Sequence, residues 1–299
     1  MSLSPAIQIA SLRVPLVRSL AARFGAVEAA MRLDWAEVRR SRWLYFFLAL
    51  NAVLAGSFVC IGMRESAVLG FTGMGRVMFS VAHILLLLLP LLALMLSGQV
   101  ITRGREDGSL ELLFSHPLPR ETYFLAISGV RYAALLVPFV ALMALLMLTG
   151  WAAFGDSVSP LAVLRESAVC AALLWTFTGL GLAVSVSVRN QARALIYLIL
   201  IWLAGVVLLD FALIGTMLQW GLNARGVFVL AALNPVEAAR MAMLSSADPT
   251  LANLGPVGFY LFNRFGAAWL FALGFFWPLL LGTAAWAYAR RQFVTQDLV

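Results

Sequence analysis

The sequence predicts an all-α polytopic membrane protein, and three observations carry that prediction. Hydrophobic residues make up 63% of the 299 and charged residues 12%, with a mean hydropathy of +0.94, a balance that soluble domains do not have. Six stretches (Trp43–Gly62, Val77–Ile101, Tyr132–Phe154, Ala168–Val188, Ala194–Ile214 and Ala267–Ala289) are each long enough to cross a hydrocarbon core of roughly 30 Å as a helix. Charge gathers between them, above all in the island Arg103–Arg131, RGREDGSLELLFSHPLPRETYFLAISGVR. The expected architecture is one transmembrane domain over 1–299. Besides six spanning helices it has an N-terminal interfacial helix, a short helix in the charged island, and a short helix outside the membrane between spans five and six.

The N-terminal segment, residues 1–42, is rich in arginine, and Val27, Met31, Trp35 and Val38 recur in it at helical spacing. That pattern predicts a helix lying in the interface, with Trp35 at headgroup depth. Charged side chains interrupt the first thirty residues, so no cleavable signal peptide is expected. Span two carries Pro90, which predicts a kink, and His83, which has no second histidine one turn away. Span four holds Gly179, Ala183 and Ser187 at four-residue spacing, with Gly181 and Ser185 beside them. Such a run of small residues predicts close helix packing, within the chain or across a dimer seam.

Span five contains Asp210, an ionisable group in an apolar helix and, with His83, a candidate for the substrate path. An outer-loop arginine, Arg225 or Arg264, could equally be its structural partner. The longest external segment, 219–266, includes Asn234-Pro235-Val236-Glu237, which has the form of a helix start. Asn234 is the N-cap, Pro235 the first helical residue, and Glu237 the reciprocal member of a capping box. A helix over Pro235–Ser245 is therefore expected on the outer face, with Asn234, Pro235, Glu237 and Arg240 as candidates for docking an extracytoplasmic partner. Met241 and Met243 lie two residues apart, so they predict packing better than a soft-metal path. Span six ends in Arg290-Arg291.

All 21 basic residues are arginine; the chain has no lysine. A P-loop ATPase needs the lysine of its phosphate loop, so this polypeptide cannot be one, and Schiff-base and Ser-Lys chemistry are excluded with it. Cys60 and Cys170 have no zinc-type spacing and are expected to be buried packing thiols; no metal site and no nucleic-acid surface is indicated. With the N-terminus inside the cell, 15 of the 21 arginines fall in inside segments. Both termini are therefore expected to be cytoplasmic by the positive-inside rule.

The charged island is a docking device. A short amphipathic helix held between two spans would offer Leu110, Leu112, Leu113 and Phe114 to a groove and Glu106, Asp107 and Glu111 to water. The motif GREDGSLELLFSHPLPRE resembles the signature of ABC-2 type permeases. Leu69–Arg76, Trp202–Asp210 and Leu233–Arg240 are similar to the NosY-type branch of that family, which accompanies copper-site maturation of nitrous oxide reductase. The resemblance spans roughly residues 35–290. It implies a coupling-helix role for Arg105, Glu106, Asp107, Gly108, Ser109, Leu110, Glu111, Leu112, Leu113 and Pro117, within a loop over 103–122. It also implies a bacterial inner-membrane location, a second permease chain, and a cytoplasmic ATPase subunit that holds ATP and magnesium. An extracytoplasmic accessory protein and a sulfur species or copper as cargo are implied as well, with no cofactor on this chain. Where such permeases often have Gly-Lys at the start of the next span, this chain has Ser128-Gly129-Val130-Arg131, so the basic role falls to Arg131. The alternatives are an ABC-2 permease exporting another substrate, a secondary transporter, and a membrane-embedded enzyme, for which Asp210 and His83 stand nearly alone.

Overall fold

The computed structural model describes residues 25–69, 74–115, 118–154, 159–209, 211–212, 215, 224–247 and 255–295, which are helices joined by short turns, with no strand among them. Helix α1 covers residues 25–39. It is followed by α2 (Arg42–Leu69), α3 (Met74–Ser97), α4 (Val100–Glu106), α5 (Ser109–Phe114), α6 (Arg120–Phe154) and α7 (Pro160–Ser187). Then come α8 (Gln191–Trp202) with a π-helical continuation over Leu203–Leu208, α9 (Ala224–Leu233), α10 (Pro235–Ala247) and α11 (Gly255–Thr295). Helix α11 is broken at Gly266, whose φ of 75° and ψ of 158° no other residue type adopts readily.

Among the described residues five helices are long and apolar enough to span a membrane: Ile84–Glu106, Arg120–Ala152, Pro160–Ser187, Gln191–Leu208 and Gly266–Thr295. They correspond to expected spans two to six. The first expected span falls on α2, a 28-residue helix whose far half has side chains outside the described set. Besides α11, whose stretch before Gly266 precedes its span, two helices begin well before their predicted spans. Helix α6 starts at Arg120 because Tyr123, Phe124 and Ile127 in its early turns are buried against other helix ends, and α7 starts at Pro160, suited to a first helical position.

Span two runs helically through Pro90 and is interrupted at Gly98-Gln99 instead. A side chain at Gly98 would collide with Leu198 of α8, so the interruption coincides with a close helix crossing. The restarted helix α4 has orphan amides in its first turn, and Ser185 of α7 accepts from two of them, Ile101 N at 2.9 Å and Thr102 N at 3.3 Å. Gly181 faces Ser97 and Gly98 on the same side. On the other side of α7, a Cβ on Gly179 would lie 2.5 Å from the Gly282 carbonyl oxygen of α11. The small residues of span four thus serve packing within the chain, on two of its faces, while Ser187 is exposed.

Two apolar clusters result. The larger joins α2, α3, α6, α7, α8 and α10 along the membrane-spanning bundle. The smaller gathers helix ends: Ala30 of α1, Val100 and Ile101 of α4, Leu110 of α5, Phe124 of α6, Val186 of α7 and Phe293 of α11. This arginine-rich end holds the charged island.

Candidate coupling site

Helix α5 is placed by two glycines. Gly108 supplies its N-terminal corner with φ of 69°, in the left-handed region, which a side chain disfavours by roughly 1–2 kcal/mol. Gly104 makes room for Leu110, whose Cγ would come within 2.9 Å of any Cβ placed there. Leu110 is therefore buried, 2% exposed, and Leu113 and Phe114 pack partly against the same cluster. The Phe114 ring stands edge-on to Tyr123 at 5.7 Å and tilted to Phe293 at 6.1 Å. Leu112, 72% exposed, and the exposed Glu111 point away from the bundle. The expectation that all four apolar residues face an external groove is corrected here. Three of them anchor the helix to its own chain, and Leu112 remains outward.

The charges of the motif also bind it to the chain. Arg105 Nη1 donates to the Val186 carbonyl at 2.8 Å, in the last turn of α7, where carbonyls lack helical partners. Glu106 Oε1 accepts from Gln191 N at 2.8 Å, capping the start of α8. Arg103 lies 3.4 Å from Asp107, an exposed pair of small energetic consequence. Ser109 Oγ donates to the Gly104 carbonyl at 3.3 Å. Pro117 lies outside the described residues.

Beneath this helix sits Arg131. Its Nη2 is 2.7 Å from Asp34 Oδ1 and 3.2 Å from Glu37 Oε1, and its Nη1 donates to the Leu96 carbonyl at 2.6 Å. Leu96 lies where α3 breaks before α4, so its carbonyl accepts from the guanidinium and not from a helical amide. One buried side chain thus ties α1, α3 and α6 together. Burial raises the Asp34 carboxyl above its ordinary value, and Arg131 opposes that rise. Of the stripe Val27, Met31, Trp35 and Val38, Met31 and Trp35 are exposed and Val38 is buried; α1 packs on the bundle through Ala30, Asp34 and Val38. Asp34 is not among the sequence candidates; its one signal is an acid at four-residue spacing between Ala30 and Val38.

The other candidates lie elsewhere. Asn234 Oδ1 accepts from Val236 N at 3.0 Å, as an N-cap should. Its backbone N–H donates to the Ala231 carbonyl at 3.1 Å and Glu237 pairs with Arg240, so the reciprocal half of the capping box is replaced. The helix packs into the bundle through Val236, Ala239, Ala242 and Met243. Asn234 Nδ2 reaches the Gly205 carbonyl in the π-helical turn at 2.7 Å, and Trp277 Nε1 donates to the Leu233 carbonyl at 3.1 Å. Gly205 stands roughly 21 Å along the helix from Gln191, at 1.5 Å per residue, so the α9–α10 junction is set within the bundle. Asn234 is 3% and Glu237 9% exposed, Pro235 and Arg240 are half-buried, and Met241 and Met243 are buried packing residues.

Asp210 and the His83 side chain lie outside the described residues, as do the side chains of Arg225 and Arg264. Cys170 is buried as expected, but Cys60 is exposed on α2. Glu166 of α7, 7% exposed, is a buried acid that the sequence reading did not single out. No group of three or more metal-ligating side chains occurs among the described residues.

A bundle of helices long and apolar enough to span, with a short helix clamped across one end, has the architecture of a multi-pass membrane protein. The chain belongs to the ABC-2 family of transporter proteins, whose family model, described as ABC-2 family transporter protein, matches residues 29–291. It is 28% identical over 240 residues to the probable ABC transporter permease protein NosY of Stutzerimonas stutzeri, covering 75% of this chain and 83% of that one. To the protein of the same description from Pseudomonas aeruginosa it is 27% identical over 234 residues, covering 74% and 82%.

Proposed function

We propose that this chain is the membrane subunit of an ATP-driven transporter that receives mechanical work from a separate ATPase subunit through α5. The observation that carries the proposal is the division of α5 into an inner and an outer side. Leu110 and Phe114 lock it to the ends of α4, α6 and α11, and Glu111 and Leu112 face outward. A helix so held moves with the bundle when pushed. ATP and magnesium belong to the ATPase, the arginine-rich end and both termini are cytoplasmic, and the membrane is the bacterial inner membrane. Two copies of the chain rock between states as two ATPases close. The similarity to NosY proteins favours a role in maturing the copper site of nitrous oxide reductase, with a sulfur species or copper as cargo and an accessory protein on the outer side.

The test is Glu111→Arg. Glu111 lies in the first turn of α5, where a carboxylate gains roughly 0.3–1 kcal/mol from the helix dipole. Reversal should leave the permease folded, because that loss is small. At a docking surface, a like-charge contact costs several kcal/mol, and about 2.7 kcal/mol is a hundredfold in affinity. The variant is expected to elute normally by size exclusion and to lose its ATPase subunit on co-purification. Full retention of the ATPase and of coupled hydrolysis would place the contact elsewhere.

A further inference from the structure

A cleft of about 940 Å³ opens between α1, the start of α2, the α3–α4 break and α5. Its lining includes two acids, Glu37 and Asp107, and four arginines: Arg40, Arg42, Arg103 and Arg131. Both acids are engaged, Glu37 by Arg131 at 3.2 Å and Asp107 by Arg103 at 3.4 Å. Arg40 and Arg42 make no ion pair among the described residues; with Asp34 and Glu37 both on Arg131 and Asp107 on Arg103, the cleft and its ion pairs keep a net positive charge. Its surroundings are apolar. Leu33 of α1 is exposed in its lining, Phe46 of α2 is exposed against Trp43, and Trp43 and Met95 form part of its wall. Apolar and aromatic side chains left uncovered next to the first turn of α2, the helix on which the first expected span falls, suit the headgroup and upper acyl region of a bilayer.

We propose that this cleft binds the headgroup of an anionic phospholipid, with Arg40 and Arg42 on its phosphate and the acyl chains against Trp43 and the exposed face of α1. Guanidinium groups match phosphate oxygens in pairs, and basic pockets between helices at this depth suit anionic headgroups. A bound lipid would brace α1 against α2 beside the Asp34–Arg131 tie, since Arg131 itself lines the cleft. The proposal rests on the membrane setting of the chain and not on its coupling to ATP.

The test uses the full chain in neutral detergent, titrated with phosphatidylglycerol and with phosphatidylcholine of the same acyl length, bound lipid being counted by native mass spectrometry. Phosphatidylglycerol should bind in preference. The double variant Arg40→Gln/Arg42→Gln should weaken it about thirtyfold and each single variant roughly fivefold. Arg39→Gln, a neighbouring arginine outside the cleft lining, should leave it unchanged. If the double variant fails size exclusion, the two single variants decide. Equal binding of the two lipids, unaltered binding by the arginine variants, or displacement of the lipid by equimolar inorganic phosphate would overturn the proposal. So would variants that keep the lipid and lose a co-purified ATPase subunit, since the cleft would then belong to an acidic segment of that partner.

Discussion

Arg131 Nη2 lies 2.7 Å from Asp34 Oδ1, with the two side chains 6% and 2% exposed, and this pair holds the N-terminal helix to the third span. Removing one member of a buried pair leaves the other charge uncompensated, at a cost of about 3–5 kcal/mol, whereas replacing both with apolar residues is often close to neutral. Arg131→Met and Asp34→Leu should each lower the unfolding temperature of the purified permease markedly. The double variant should recover most of the loss, less the part due to the freed Leu96 carbonyl. Equal temperatures for wild type and both single variants, read by scanning fluorimetry, would show that α1 is held by other contacts.

Leu110 and Leu112 are two residues apart and should respond in opposite ways. Leu110 is buried under Gly104, so Leu110→Ala leaves a cavity and should cost roughly 2–5 kcal/mol of stability. Leu112 is 72% exposed, and Leu112→Ala should change stability by about 0.5 kcal/mol or less while weakening retention of the ATPase subunit. Thermal unfolding of the permease and co-purification of the ATPase separate the two effects. Matching behaviour of the variants would remove the distinction between anchor and contact.

Gly282 lies against the backbone of α7, where a Cβ would come within 2.7 Å of Thr176 Cα. No side-chain motion relieves a clash with backbone. Gly282→Val should therefore separate α7 from α11 and abolish recovery of monodisperse protein. Gly56→Val, at a glycine whose Cβ would meet nothing within 4 Å, should express normally. Comparable yields of the two would mean that α7 and α11 pack differently.

Cysteine substitutions near Leu3 and Gln296, in a background where Cys60 and Cys170 are replaced by serine, should be inaccessible to an impermeant maleimide in intact cells. They should label after the membrane is opened. This follows from the 15 arginines counted on the inner side and from the gathering of Arg40, Arg42, Arg103, Arg120 and Arg290 at one end of the bundle. Labelling of either site in intact cells would reverse the orientation.

The sequence by itself determined the membrane class and the places of spans two to six, because apolar length is a property of a stretch taken alone. It also excluded an ATPase site, since a missing lysine needs no fold to be read, and it located the charged island and the Asn234 cap, whose signals lie within a few residues of one another. Tertiary structure decided what depends on partners far away in the chain. The side of α1 that meets the bundle is fixed by Arg131, 97 residues from Asp34. Three of the four apolar residues of α5 turned inward because helix ends from α4, α6 and α11 converge there to bury them. The α9–α10 junction entered the bundle because a π-helical carbonyl at Gly205 and the indole of Trp277 satisfy its polar groups, a match no local pattern encodes.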